Sequence, residues 1–164
     1  MGKEDGVFVI MKFNIQMVDN TVSSEWWKTI IHHFIKVGDN FEIRCWKEET
    51  EEILQVKRYG KAIADGNEIS IKGAFVDELL LELMEENPAD KEIYNKMTKY
   101  FTINVKNELC DIWSCHYGTE MYIEIYSDKD ILFFDQTMRQ YPDTSFSYRS
   151  LAIRSIDLKS QWVG

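Results

Sequence analysis

Three stretches of this 164-residue chain carry side chains able to do chemistry. The first is EWWKTIIHHFIK, residues 25–36, with His32 and His33 adjacent. Imidazole is the side chain that most readily moves protons or binds metal near neutral pH. Adjacent residues on a helix point about 100° apart, so the two rings are badly placed to share one ion. His32 also lies one turn from both Lys28 and Lys36, cations that disfavour a protonated imidazole. The pair is therefore expected on a solvated polar face.

The second stretch is CDIWSCHYG, with Cys110, Cys115 and His116. Zinc takes thiolate and imidazole ligands, usually from closely spaced cysteine pairs. No second pair exists here; only Cys45, His32 and His33 remain to complete a set. On a strand, Cys110 and Cys115 face opposite ways, and His116 faces away from Cys115. An enzyme reading would rest on Cys115 and His116, with Asp111 or Glu120 as the carboxylate.

The third feature is acidic. KEETEE packs Glu48, Glu49, Glu51 and Glu52 together, and VDELLLELMEEN holds Glu78, Glu82, Glu85 and Glu86. Read as a helix, the latter four share a face opposite the leucines. Between Asp77 and Asp90 stand six acidic residues and no lysine or arginine. Like charges one turn apart cost about 0.2–0.5 kcal/mol each. An unneutralised face of this kind suits rapid capture of a basic partner. A metal role has no supporting pattern. DKDILFFD begins like a calcium loop at Asp128 and Asp130, but Leu132 and Phe133 stand where a ligand and the turn glycine belong.

Aromatic residues add a second interaction signal. If Met121, Ile123 and Ile125 face a core, then Tyr122, Glu124 and Tyr126 point out together. Tyrosine among carboxylates suits the centre of a polar interface. A second helical layer would bury these residues instead.

The elements that must position these groups follow from pattern. Residues 8–18 alternate as a half-buried strand. A helix follows, with Ser23 as N-cap, a Val22–Trp27 staple and Gly38 at its end. Trp26, Trp27, Ile30, Ile31, Phe34 and Ile35 fill half of its wheel, and Lys28, Thr29, His32, His33 and Lys36 fill the other. Residues 41–49 alternate with Phe41, Ile43 and Cys45 inward. Residues 53–73 read as two or three short strands with a hairpin turn at Asp65-Gly66. A leucine-faced helix ends at Asn87-Pro88, and a second is expected from there to about Lys99. FTINVKN, LCDIWSCHY, MYIEIYS, DILFFD and SFSYRSLAIRSIDL read as strands. Runs of strands without crossover helices argue against a doubly wound parallel sheet. The expected fold is α+β: a single domain over 1–164, with an antiparallel or mixed sheet of about six to nine strands and two or three helices packed on it.

Composition narrows the function. The hydrophobic fraction of 45% supports a packed core. The net charge of −9 repels phosphate backbones and anionic lipid, and no basic stripe offsets it, so neither nucleic acid nor membrane is an expected partner. The N-terminal apolar run is broken by Lys12 and lacks signal-peptide architecture. No apolar run reaches the roughly 18 residues of a membrane span. Three cysteines without a secretory signal read as free thiols in a reducing compartment, so a cytoplasmic protein is expected. There is no G-x-G-x-x-G, P-loop, H-E-x-x-H or G-x-S-x-G motif.

The combined expectation is a non-catalytic acidic protein that binds a basic, toxin-like protein partner and needs no cofactor or metal. An intracellular inhibitor or immunity protein, with a nuclease as target, is its concrete form. Its contact residues would be Glu48, Glu49, Glu51, Glu52, Glu78, Glu82, Glu85, Glu86, Tyr122, Glu124 and Tyr126. The alternatives are a small Cys/His enzyme built around residues 110–120, and a structural or regulatory subunit whose tyrosines make a homo-oligomer contact.

Overall fold

Period-two alternation along each strand forces one set of side chains onto a common face of the sheet. In the computed structural model, which describes residues 9–17, 23–86, 96–141 and 146–154, that set forms the core. The strands are β1 (Val9–Met17), β2 (Asn40–Trp46), β3 (Gly60–Asp65), β4 (Glu68–Ala74), β5 (Thr102–Lys106), β6 (Cys110–Cys115), β7 (Glu120–Ile125) and β8 (Phe146–Arg154). They form one eight-stranded sheet in the order β3-β4-β2-β5-β6-β7-β1-β8. Every neighbouring pair is antiparallel. Helices α1 (Glu25–Phe34), α2 (Thr50–Lys57), α3 (Asp77–Glu85) and α4 (Asp128–Arg139) complete an α+β arrangement.

The register aligns the core in rows. Phe13, Ile123, Ile112, Val105 and Phe41 stand side by side across five strands, and Ile15, Met121, Ser114, Ile103, Ile43 and Ile71 across six. All are buried. The helices close over them with Trp26, Trp27, Ile30, Ile31 and Phe34 of α1, Val56 of α2, Leu79 and Leu83 of α3, and Phe134 and Met138 of α4. The Trp27 indole donates to the buried Ser114 hydroxyl at 3.0 Å, which satisfies the one polar side chain in its row. Gly118 makes this approach possible. A Cβ there would lie 2.6 Å from Met97 Cβ and 3.0 Å from Trp27 Nε1, and its φ of +79° also favours glycine.

Among the described residues four helices form where two or three were expected, because two segments read as strand-like are helical. Residues 50–57 make α2: Ile53 and Val56 are one turn apart on the buried side. Glu51 and Glu52 sit in the first turn and Lys57 in the last, as the helix dipole favours. DILFFD belongs to α4. Its start was signalled by Ser127-x-x-Asp130: the Ser127 hydroxyl accepts from Asp130 N–H at 3.2 Å and donates to the Asp130 carboxylate at 2.7 Å.

Other expectations meet mixed outcomes. The two-residue turn at Gly66-Asn67 closes the β3–β4 hairpin, with Asp65 opposite Glu68. Gly38 has a φ of +94°, but it lies three residues beyond Ile35, the C-cap of α1. Ser24 takes the N-cap position, while the Ser23 hydroxyl accepts from Glu25 N–H at 3.2 Å. Val22 and most of the helix expected after Pro88 lie outside the described residues; Lys96–Lys99 are not helical. Among the described residues no helix is long and apolar enough to cross a membrane.

Candidate interaction surface

Helix α3 presents its acidic residues in two ways. Glu78 and Glu85 are exposed and make no ion pair among the described residues. Glu82 turns toward α2 and accepts from Arg58 at 2.6 Å and from the Tyr59 hydroxyl at 2.8 Å. Glu86 is drawn inward at the end of α3, where it accepts from the Thr98 hydroxyl at 2.9 Å and from the backbone N–H of Lys99. Burial pushes its carboxyl up to about 7, against the lowering effect of those hydrogen bonds. The four glutamates therefore do not form the uniform acidic face expected from the helical wheel: two are exposed and two hold the fold together.

The same division runs through KEETEE. Glu48 and Glu51 are exposed and Glu52 is half-buried. Glu49 has structural work: it accepts from the Trp46 N–H at 2.8 Å and from the Tyr117 hydroxyl at 3.0 Å. Arg58 and Tyr59, just beyond α2, tie the end of that helix to Glu82 of α3. Leu54 on α2 and Leu81 on α3 are 67% and 57% exposed. Each helix thus exposes both acidic and apolar side chains. Leu81 corrects the wheel of α3, which counts it with Leu79, Leu80, Leu83 and Met84 on the apolar face, and Leu54 falls in a stretch whose pattern reads as strand.

The face of the sheet opposite the helices is different. Asn14, Tyr122, Trp113, Asn104, Glu42 and Lys72 form a row across it. Trp113 is 54% and Tyr122 39% exposed, so no described helix covers them. Charge on this face is largely matched. Glu124 pairs with Lys12 at 3.0 Å. Arg44 reaches Asp65 at 2.7 Å and both Glu42 and Glu68 at 3.2 Å. Burial opposes ionisation of Glu42, yet bonds from Ser70, Asn104 and Arg44 outweigh it and hold the carboxyl below its ordinary range. Tyr126 is half-buried, with its N–H donating to Leu109 O at 3.3 Å; burial, with Asp111 and Glu124 nearby, pushes its phenol up to about 12.

The turn between β6 and β7 gathers the residues of the enzyme alternative. Cys115 lies opposite Glu120 in the ladder, and His116 Nδ1 is 3.2 Å from Glu120 Oε2. Asp111 is four residues back along β6, opposite Glu124. The electrostatics oppose a thiolate: burial, and then the Glu120 charge, raise the Cys115 thiol above its ordinary value. Cys110 and Cys45 face the core, and burial pushes both thiols up to about 12. Cys110 and Cys115 lie on opposite faces of β6, so they cannot ligate one ion together.

Of the two histidines on α1, His32 is exposed as expected. His33 departs from the solvated-face expectation: its Nε2 lies 2.9 Å from Asp130 Oδ1 of α4. Comparison of the chain with protein-family models, with curated proteins and with solved structures finds no match.

Proposed function

We propose that the protein is a non-catalytic binding protein that uses the α2–α3 surface to mask a basic protein partner, as an intracellular inhibitor or immunity protein masks a toxin. The carrying observation is the character of these two tied helices and the turn before α2: Glu48, Glu51, Glu78 and Glu85 are exposed without ion pairs among the described residues, and Leu54 and Leu81 are exposed beside them in sequence. Carboxylates of this kind steer a cationic partner into encounter, and exposed leucines give it apolar area to bury. The net charge of −9 reinforces the steering. A nuclease fits such a surface because sites built for phosphates accept carboxylates. Glu49, Glu82 and Glu86 serve this reading by shaping the surface, since their carboxylates are engaged within the fold. Tyr122 and Glu124 lie on the opposite face of the sheet, so one compact footprint centred on α2–α3 does not include them.

The test is affinity capture from the protein's own cells at low and moderate salt. The wild type is compared with the triple reversal Glu51→Lys, Glu78→Lys, Glu85→Lys. A single stoichiometric basic partner is expected, held more weakly as salt rises and lost from the reversal variant. Equal retention by the variant, or recovery of the chain alone at both salts, overturns the reading.

A further inference from the structure

We propose that the groove between α1, α3 and α4 is a binding site for a small oxyanion-bearing molecule, a carboxylate or phosphate with an apolar body, held by Lys28 and His33. The groove has a volume of about 500 Å³, and Glu25, Lys28, Thr29, His32, His33, Met84 and Phe133 line it. This inference is independent of the partner surface on α2–α3.

His33 is the best-oriented group in the groove. Its ring stacks on Phe133 with centroids 3.6 Å apart and planes 12° apart, and meets the edge of Phe34 at 4.7 Å. Its Nε2 faces Asp130 Oδ1 at 2.9 Å, and the other carboxylate oxygen of Asp130 accepts from Ser127 at 2.7 Å. A carboxylate that accepts Nε2–H fixes the ring's orientation and leaves Nδ1 as the working nitrogen. That nitrogen makes no hydrogen bond among the described residues. When the ring is protonated, Asp130 stabilises the imidazolium and Nδ1–H can donate to an anion.

The surrounding groups favour the same ligand. Lys28 lines the groove and makes no ion pair among the described residues. His32 adds a second imidazole, and the Thr29 hydroxyl donates back to Glu25 O at 2.8 Å. Glu25 is the one carboxylate in the lining. The charge of Asp130, from α4, is committed to His33 and Ser127. Glu86, at the end of α3, lies within electrostatic reach of Lys28. In a chain of net charge −9, the lining holds one lysine and two imidazoles beside one carboxylate, so it offers donors where most of the surface offers acceptors. Met84 and Phe133 supply apolar walls: Lys28 and His33 Nδ1 take the ligand's anionic end and the walls take its body.

The imidazole Cε1–H resonances of the full chain report binding directly, with His33 assigned through His33→Gln. Sodium benzoate, inorganic phosphate and benzylamine are titrated separately to about 10 mM, enough to detect a millimolar Kd. A saturable shift at His33 with benzoate is expected. It should leave His116 unmoved and weaken about tenfold in Lys28→Ala. Saturation by phosphate but not benzoate would also support the site and assign it to phosphate. Lys28→Gln, read beside Lys28→Ala with thermal melts of both, guards against a folding defect. No saturable shift with either anion, an equal response to benzylamine, or unchanged affinity in both Lys28 variants overturns the proposal.

Discussion

Arg58, the C-cap of α2, and Glu82 of α3 meet at 2.6 Å, and the Tyr59 hydroxyl joins them at 2.8 Å. A glutamate that looks like free surface on a helical wheel is therefore the tie between two helices. Arg58 is largely exposed, so the ion pair alone contributes little; the tyrosine hydrogen bond adds to it. Glu82→Ala should destabilise the protein by about 1 kcal/mol, read as a lower urea midpoint. Glu78→Ala and Glu85→Ala should change stability by no more than about 0.5 kcal/mol. Equal losses at all three positions would contradict this division.

Trp27 and Ser114 form the buried contact that seats α1 on the sheet. Trp27→Ala should cost about 3–5 kcal/mol by cavity formation. Trp27→Phe keeps much of the volume but strands the Ser114 hydroxyl, which should cost about 1–3 kcal/mol. Adding Ser114→Ala to Trp27→Phe should then recover part of the loss. A double mutant less stable than the phenylalanine single mutant would show that the hydrogen bond is not the term lost.

Glu86 sets the sign of one pH dependence. Its carboxyl is pushed by burial from the usual 4.5 to about 7 in the folded chain, so the folded state binds the proton more tightly than the unfolded state. Its contribution is complete below about 4.5 and is lost as pH rises from there to about 7. Stability measured across that window should fall more steeply in the wild type than in Glu86→Gln. Parallel curves would mean that the carboxyl is already ionised in the folded state at low pH.

The thiols offer a direct check on the enzyme alternative. With Cys45 and Cys110 buried and pushed up to about 12, and Cys115 raised by burial and by Glu120, none is poised as a thiolate at neutral pH. An electrophilic thiol reagent should label the native protein slowly at all three and rapidly only after unfolding. Fast labelling at Cys115 alone would restore the Cys115–His116 reading, for which Glu120 is the carboxylate within reach of the imidazole.

Local geometry was the legible part of this protein. Alternation along β2 and β7 sorted Phe41, Ile43, Cys45, Met121, Ile123 and Ile125 onto the buried face. The wheel of α1 separated its two tryptophans from its histidines, and Asp65-Gly66 marked the hairpin. These patterns depend on backbone repeat alone, and so does the absence of crossovers that pointed to an antiparallel sheet. The short α2 and the start of α4 were harder, because short apolar runs fit either period; for α4 the Ser127–Asp130 cap was the signal that separates helix from strand.

Tertiary structure alone decided which polar groups are spent and which remain available. His33 and Asp130 are 97 residues apart in sequence, and Glu49 and Tyr117 are 68 apart. Glu86 meets Thr98 and Lys99, 12 and 13 residues further along the chain. A side chain's position on its own helix or strand follows from 3.6 or two residues per repeat. Its hydrogen-bond partner follows from how the whole chain is routed, and burial at that meeting point fixes its charge. The sequence therefore determined the layers and the acidic character, while the fold divided that acidity into structural ties and open surface and turned one histidine of the adjacent pair toward an aspartate.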